Sequence, residues 1–94
     1  MGIDLNKLMN YKSIAYASDM AQLGKVKEEY KELLAEVKET STFSYVKDRD
    51  KFIAEGLDLV TATVNSLLLC GLTEQDFEKH IAKLESYKIG KYKR

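Results

Sequence analysis

Residues 52–72 carry only two charges, Glu55 and Asp58, in a stretch otherwise rich in Leu, Val, Ala and Thr. A helix of that composition is apolar on nearly every face, so neighbouring elements or a second chain must cover it. At 100° per residue, Glu55, Asp58, Ala62, Asn65 and Leu69 share one sector. Two carboxylates and an amide therefore line one strip of a segment that otherwise belongs in a core. Isolated buried carboxylates persist when they are paired, hydrogen-bonded or bound to metal. This stretch asks for a helical fold, for cover, and for a counter-charge.

The rest of the chain agrees with the first demand. It has no Pro, five Gly and an abundance of Leu, Ala, Lys and Glu, residues that lose little rotamer freedom in a helix. Ninety-four residues make one domain, 1–94, small enough to bury only about 60–65% of its unfolded surface. The expected fold is all-α: a bundle of three to four helices with an antiparallel core pair, made oligomeric to cover the third helix.

The pattern places a loosely helical segment over residues 3–20, capped by Asp4 and breaking near Asn10 or Ser18. A second helix over 22–39 has Val26, Tyr30, Leu33, Leu34 and Val37 as its stripe. Residues 40–50 lose that period and read as a connecting loop. The third helix, 51–70, ends at Gly71, a residue suited to a left-handed C-terminal position. Thr73, with Asp76 three residues on, caps a fourth helix whose stripe is Phe77, Ile81 and Leu84. The core so defined is 22–88, followed by a basic tail, 88–94.

Fifteen basic and fifteen acidic residues cancel, which disfavours stable nucleic-acid binding or attachment to an anionic membrane surface. Cys70 is alone, so it forms no internal disulfide, and its Leu-rich surroundings read as those of a buried structural thiol. The N-terminus shows no basic segment followed by an apolar core. The most apolar uninterrupted stretch, 59–72, has 14 residues, against the ~20 needed to span a bilayer. A cytoplasmic protein with no membrane partner is expected.

The second helix supplies more acid. Glu29, Glu32 and Glu36 lie along one edge of its stripe, whereas Glu28 points about 100° away from Glu29, into solvent. Glu29/Glu32 and Glu55/Asp58 both have the i, i+3 spacing that places two carboxylates on one face. Packed antiparallel, the two helices bring four carboxylates together, and such a cluster repels itself unless cations enter. Oxygen ligands without His or Cys favour Mg²⁺, with Mn²⁺ as a substitute. The alternative is that Glu55 and Asp58 form salt bridges with Lys25, Lys47 or Arg49, in a helical module that binds other proteins.

The run Glu28-Glu29-Tyr30-Lys31-Glu32-Leu33, a 22-residue gap after Glu32, and then Glu55-Gly56-Leu57-Asp58 resembles the MazG-like family of all-α nucleoside triphosphate pyrophosphohydrolases, whose signature is E-x-x-E, a spacer, and E-x-x-D. Lys25 before the Glu pair, Asn65 two turns after Asp58, and His80 with Lys83-Leu84 extend the resemblance over residues 22–88. Ile81 stands where the family often has Asn, and Tyr87-Lys88-Ile89-Gly90 replaces its usual Arg-Gly. The resemblance implies Mg²⁺ at Glu29, Glu32, Glu55 and Asp58, with Glu32 or Glu29 positioning the attacking water. It implies a nucleoside triphosphate substrate met by Lys25, Asn65, Lys83 and the tail lysines Lys88 and Lys91. Cover for the apolar third helix calls for a homodimer or dimer of dimers, and in the family active sites can draw residues from more than one chain. His80, beside the fourth helix's stripe, suits a boundary or capping role, and Tyr11, Tyr16 and Tyr45 have no place assigned. A nucleotide or metal sensor without turnover would use the same site.

Overall fold

The computed structural model describes residues 2–39 and 42–90. The tail residues 91–94, Lys91 among them, and residues 40–41 of the expected loop lie outside it. The chain is mostly helical, with one small two-stranded sheet.

The N-terminal segment forms short 3₁₀ helices, Leu5–Asn10 and Lys12–Ile14, in place of the loose α-helix expected there. Asp4 caps the first of them, accepting from the Asn6 N–H at 3.0 Å. Ser18 caps α1, Asp19–Leu34, through a bond from the Ala21 N–H. The chain thus breaks where the sequence expected, at Asn10 and Ser18, and the α-helix begins only after the second break.

An antiparallel hairpin pairs β1 (Val37–Glu39), at the end of the expected second helix, with β2 (Ser44–Val46), inside the expected connecting loop, Lys38 lying opposite Tyr45. The second helix therefore stops at Leu34, five residues short of the 39 that periodicity gave. Val37, Tyr45 and Val46 favour extended backbone, and pairing across the turn satisfies their peptide groups.

α2 spans Arg49–Leu69, capped by Asp48. It ends as expected at Gly71, whose φ is +85°. There the Leu72 N–H donates to the Leu67 carbonyl and the Gly71 N–H to that of Leu68, a Schellman closure. α3, Glu74–Lys88, opens on the Thr73/Asp76 capping box.

That box makes α3 acid-sensitive. Bonds from the Thr73 N–H and hydroxyl hold the Asp76 carboxyl below its usual value of 3.8. A depressed carboxyl contributes stability above its unfolded pKa and loses it as pH falls through the lower, folded one. Far-UV circular dichroism should show helix melting on acidification below pH 3.8, with a smaller acid step in Asp76→Asn. Identical profiles would remove the box from the account.

Among the described residues, α1 and α2 form the one extensive helix pair, and the N-terminal 3₁₀ helices lie against α2. Among the same residues α3 has no extended packing on either long helix, so the bundle is looser than expected. The contact between α1 and α2 buries Gln22, Glu29, Ala62 and Asn65, while the apolar residues Ile53, Leu57, Val60 and Leu67 of α2 stay between 40% and 47% exposed. These four lie at i, i+4, i+7 and i+14, opposite the polar strip. α2 has turned its polar strip inward and its apolar stripe outward.

This corrects three expectations. α2 is not buried on most faces, Tyr30 is 51% exposed instead of in the core, and Cys70 is exposed. In each case the described residues of the chain leave uncovered a surface that the sequence read as core. α2 is also long and apolar enough, by length and composition, to cross a membrane, which the 14-residue stretch read from sequence was not.

Candidate functional site

The inward face of α1 repeats at Gln22, Val26, Glu29 and Leu33, and Leu33 packs over Gly56 of α2. Gln22 is buried at 2% exposure and joins three elements. Its Nε2 donates to the Ala62 carbonyl at 2.9 Å, and its Oε1 accepts from the Tyr16 N–H at 3.0 Å. One amide thereby clips the strap ahead of α1 onto the middle of α2.

One helical turn beyond Lys25, Glu29 is 5% exposed. Its Oε1 lies 2.7 Å from the Lys25 ammonium, which also stands 3.9 Å from Glu28. The hydrogen bond with Glu29 raises the Lys25 pKa above its usual value. Glu29 Oε2 is buried with no hydrogen-bond partner, and the same holds for Glu55 Oε2 from α2. Glu32, one turn further along α1, completes a group in which one carboxylate oxygen from each residue lies within 4.8 Å of the other two. The Glu32 carboxyl is pushed up, first by loss of water around it and then by Glu29 and Glu55.

Three of the four expected carboxylates thus converge. Asp58 is outside that group, exposed on the wall of an adjoining cleft of about 400 Å³. Tyr16, Lys25, Glu29 and Asn65 also line this cleft. The sequence made Glu55 and Asp58 the most buried acids, and the structure reverses that order: Glu29 is buried, Glu55 half-buried, Asp58 exposed. Low charge density marked α2 as hidden, but only the strip under α1 is covered.

Lys25 reaches the site, as expected, though on Glu29. Asn65 is 3% exposed, with its Oδ1 unpartnered. Lys83 is outside the cleft: it lies on α3, its ammonium 5.8 Å from the centroid of the Tyr87 ring. His80 is exposed on the same helix. Gln22 and Tyr16 were missed. Gln22 carried a signal, standing one heptad before Glu29 on the same face. Tyr16 carried none, because a tertiary hydrogen bond fixes its position.

Buried acceptors without partners are costly. Here they gather where the two long helices meet, so the helix pair gives its best-covered positions to polar groups at the expense of stability, a mark of functional sites. The donor set is all carboxylate oxygen, matching a hard divalent cation. Compared with known proteins, the chain matches no family model, no curated protein and no solved structure.

Proposed function

We propose that this chain is a Mg²⁺-dependent nucleoside triphosphate pyrophosphohydrolase of the MazG-like type, releasing monophosphate and pyrophosphate from (deoxy)nucleoside triphosphates. The observation that carries this reading is that Glu29 Oε2 and Glu55 Oε2 are buried without a hydrogen-bond partner, in two residues whose carboxylates converge with that of Glu32, Glu29 also lining an open cleft. Oxygens in that state are accounted for by a bound cation.

Glu29, Glu32 and Glu55 would hold Mg²⁺, or Mn²⁺ in its place, with Asp58 meeting it from the cleft wall. Bound there, the cation supplies charge neutralisation for the triphosphate and acidifies an attacking water. Glu32 is the best candidate to take the proton of that water, since it is the one solvent-exposed carboxylate of the three. Lys25 orients Glu29 and presents the remainder of its charge to the phosphates. Asn65 faces the nucleoside. Lys83 lies outside its own chain's cleft, so it serves the reaction only if α3 of a second copy brings it in.

A homodimer or dimer of dimers is part of the same reading, because it covers the apolar stripe of α2. A cytoplasmic location fits better than a membrane. Glu55 and Asp58 sit inside α2, and carboxylates within a spanning helix cost about 2.5–3.5 kcal/mol each near the bilayer centre.

The test is pyrophosphate release from a panel of NTPs and dNTPs with Mg²⁺. Turnover of at least one, abolished by EDTA and by Glu29→Gln, is expected. No release from any, with unchanged melting on adding Mg²⁺, would sink both the enzyme and the sensor that shares its site.

A further inference from the structure

We propose that Lys25 and a divalent cation compete for Glu29: the ammonium that balances this carboxylate yields it when the cation binds, and is thereby freed on the cleft wall for the anion that the cation carries. The inference rests on the metal site proposed above and adds an exchange within it. The Lys25–Glu29 pair is one state of the site, not a fixture.

The Lys25 Nζ stands 2.7 Å from Glu29 Oε1. Among the described residues no other ion pair reaches Glu29, Glu32 or Glu55, so one ammonium faces three converging carboxylates. A single positive charge leaves that group negative, and the buried oxygens without partners, Glu29 Oε2 and Glu55 Oε2, mark where compensation is missing. A divalent ion compensates better than an ammonium, because it takes oxygens from several carboxylates at once. On a shared carboxylate the two cations repel each other.

The ammonium is the one with somewhere to go. Lys25 hangs on a flexible four-carbon stem. Its side chain is 34% exposed, against 6% for Glu29, and it lines the cleft. Its second acid, Glu28, lies 3.9 Å away on the more exposed side. Rotation of the stem therefore carries the charge from a buried carboxylate towards open space, where a polyphosphate held by the cation would meet it. Competition has a signature that a merely structural role lacks: removing the ammonium strengthens the cation and weakens the anion.

The experiment titrates the full chain, stripped with EDTA, by calorimetry with Mg²⁺ alone and then, at saturating Mg²⁺, with inorganic tripolyphosphate. Lys25→Met should bind Mg²⁺ roughly tenfold more tightly than wild type, the effect of one ammonium beside a divalent ion even at the dielectric of water. It should bind tripolyphosphate roughly tenfold more weakly, the worth of one charge-assisted hydrogen bond. Lys27→Met, which removes an exposed charge from the same helix, should change either affinity by less than about twofold, because solvent and salt screen it. Wild type gives a second reading that depends on no variant: mass spectrometry of Lys25 acetylation by acetic anhydride. Mg²⁺ should speed that modification, and tripolyphosphate added with Mg²⁺ should slow it again.

Equal or weaker Mg²⁺ binding by Lys25→Met would make Lys25 a fixed support of Glu29 and overturn the exchange. So would equal effects from Lys27→Met, or acetylation of Lys25 indifferent to Mg²⁺. Tighter Mg²⁺ with unchanged tripolyphosphate binding would overturn the anion's half of it. No Mg²⁺ binding by wild type or Lys25→Met, with or without tripolyphosphate, would remove the metal site and the exchange together. Opposite shifts in the two affinities, in a protein that releases no pyrophosphate from any nucleotide, would remove the hydrolase and leave the exchange standing.

Discussion

Glu55→Gln is expected to raise the melting temperature of the protein in EDTA and to abolish the further rise that Mg²⁺ gives the wild type. Oxygens of Glu29 and Glu55 lie within 4.8 Å of one another. Two charges at that separation repel by about 0.9 kcal/mol in bulk water and about 3.5 kcal/mol at an effective dielectric of 20. Removing one charge relieves that repulsion, so the cation-free chain gains. A ligand at a hundred times its Kd stabilises the folded state by about 2.7 kcal/mol, roughly 10–20 °C for a domain of this size. The mutant forfeits that gain with the ligand oxygen, and pyrophosphate release should fall with it. A variant that melts lower in EDTA, yet still responds to Mg²⁺ like wild type, would show Glu55 to be structural.

Glu32 gives the same argument a pH dependence. Its carboxyl is raised above 4.5 in the folded protein, so the folded state holds the proton more tightly than the unfolded one. The stability this contributes is fully present below 4.5 and is lost as pH rises through the higher, folded value. In EDTA the wild type should therefore lose stability across that window. Glu32→Gln should flatten the slope, and saturating Mg²⁺ should remove it.

The sequence exposed the helix pair, the caps and most of the site for identifiable reasons. Thr73, Asp76, Gly71 and Asp4 act through bonds to their own neighbours, so local chemistry was enough to place them; Ser18 was read as a break but not as the cap of α1. Glu29, Glu32 and Glu55 were legible because helical spacing fixes which residues share a face. Asp58 lies inside the same sector, between Glu55 and Asn65, and helical spacing alone does not say which residues of a sector the partner helix leaves uncovered. The hairpin was hidden because three-residue strands carry too little period to read. The face of Gln22 was legible from its spacing to Glu29, but its bond to Ala62, 40 positions away, and its hold on the Tyr16 N–H were not, because neither follows from a helical period.

The chain is expected to be an oligomer in solution, and to unfold when the stripe Ile53/Leu57/Val60/Leu67 is broken by charge. A folded monomer of 10.7 kDa exposes about 5,500 Å² by the usual scaling with mass. This chain exposes 7813 Å², an excess of about 2,300 Å². Its radius of gyration, 15.9 Å, exceeds the ~12 Å expected for a compact chain of this length. An obligate dimer commonly buries ~1,000–2,500 Å² per subunit, which is the range of the surplus. The stripe lies on one face of α2, opposite the polar strip that α1 covers, and Phe77, Ile81 and Leu84 of α3 are also exposed. A second copy therefore has both a helix face and a detached helix to pack against. Covering what is still exposed of each such side chain contributes less than half of the about 1.5–3 kcal/mol that full burial gives, and Val60→Asp replaces that gain with a buried, unpaired charge. Sedimentation of the wild type should give a dimer or larger, with a melting temperature that rises with protein concentration. Val60→Asp should sediment as monomer with little helical signal, whereas Val60→Ile should behave as wild type. A wild-type monomer with sharp, concentration-independent melting would instead require one chain to cover α2 alone, by drawing α3 onto the outward stripe.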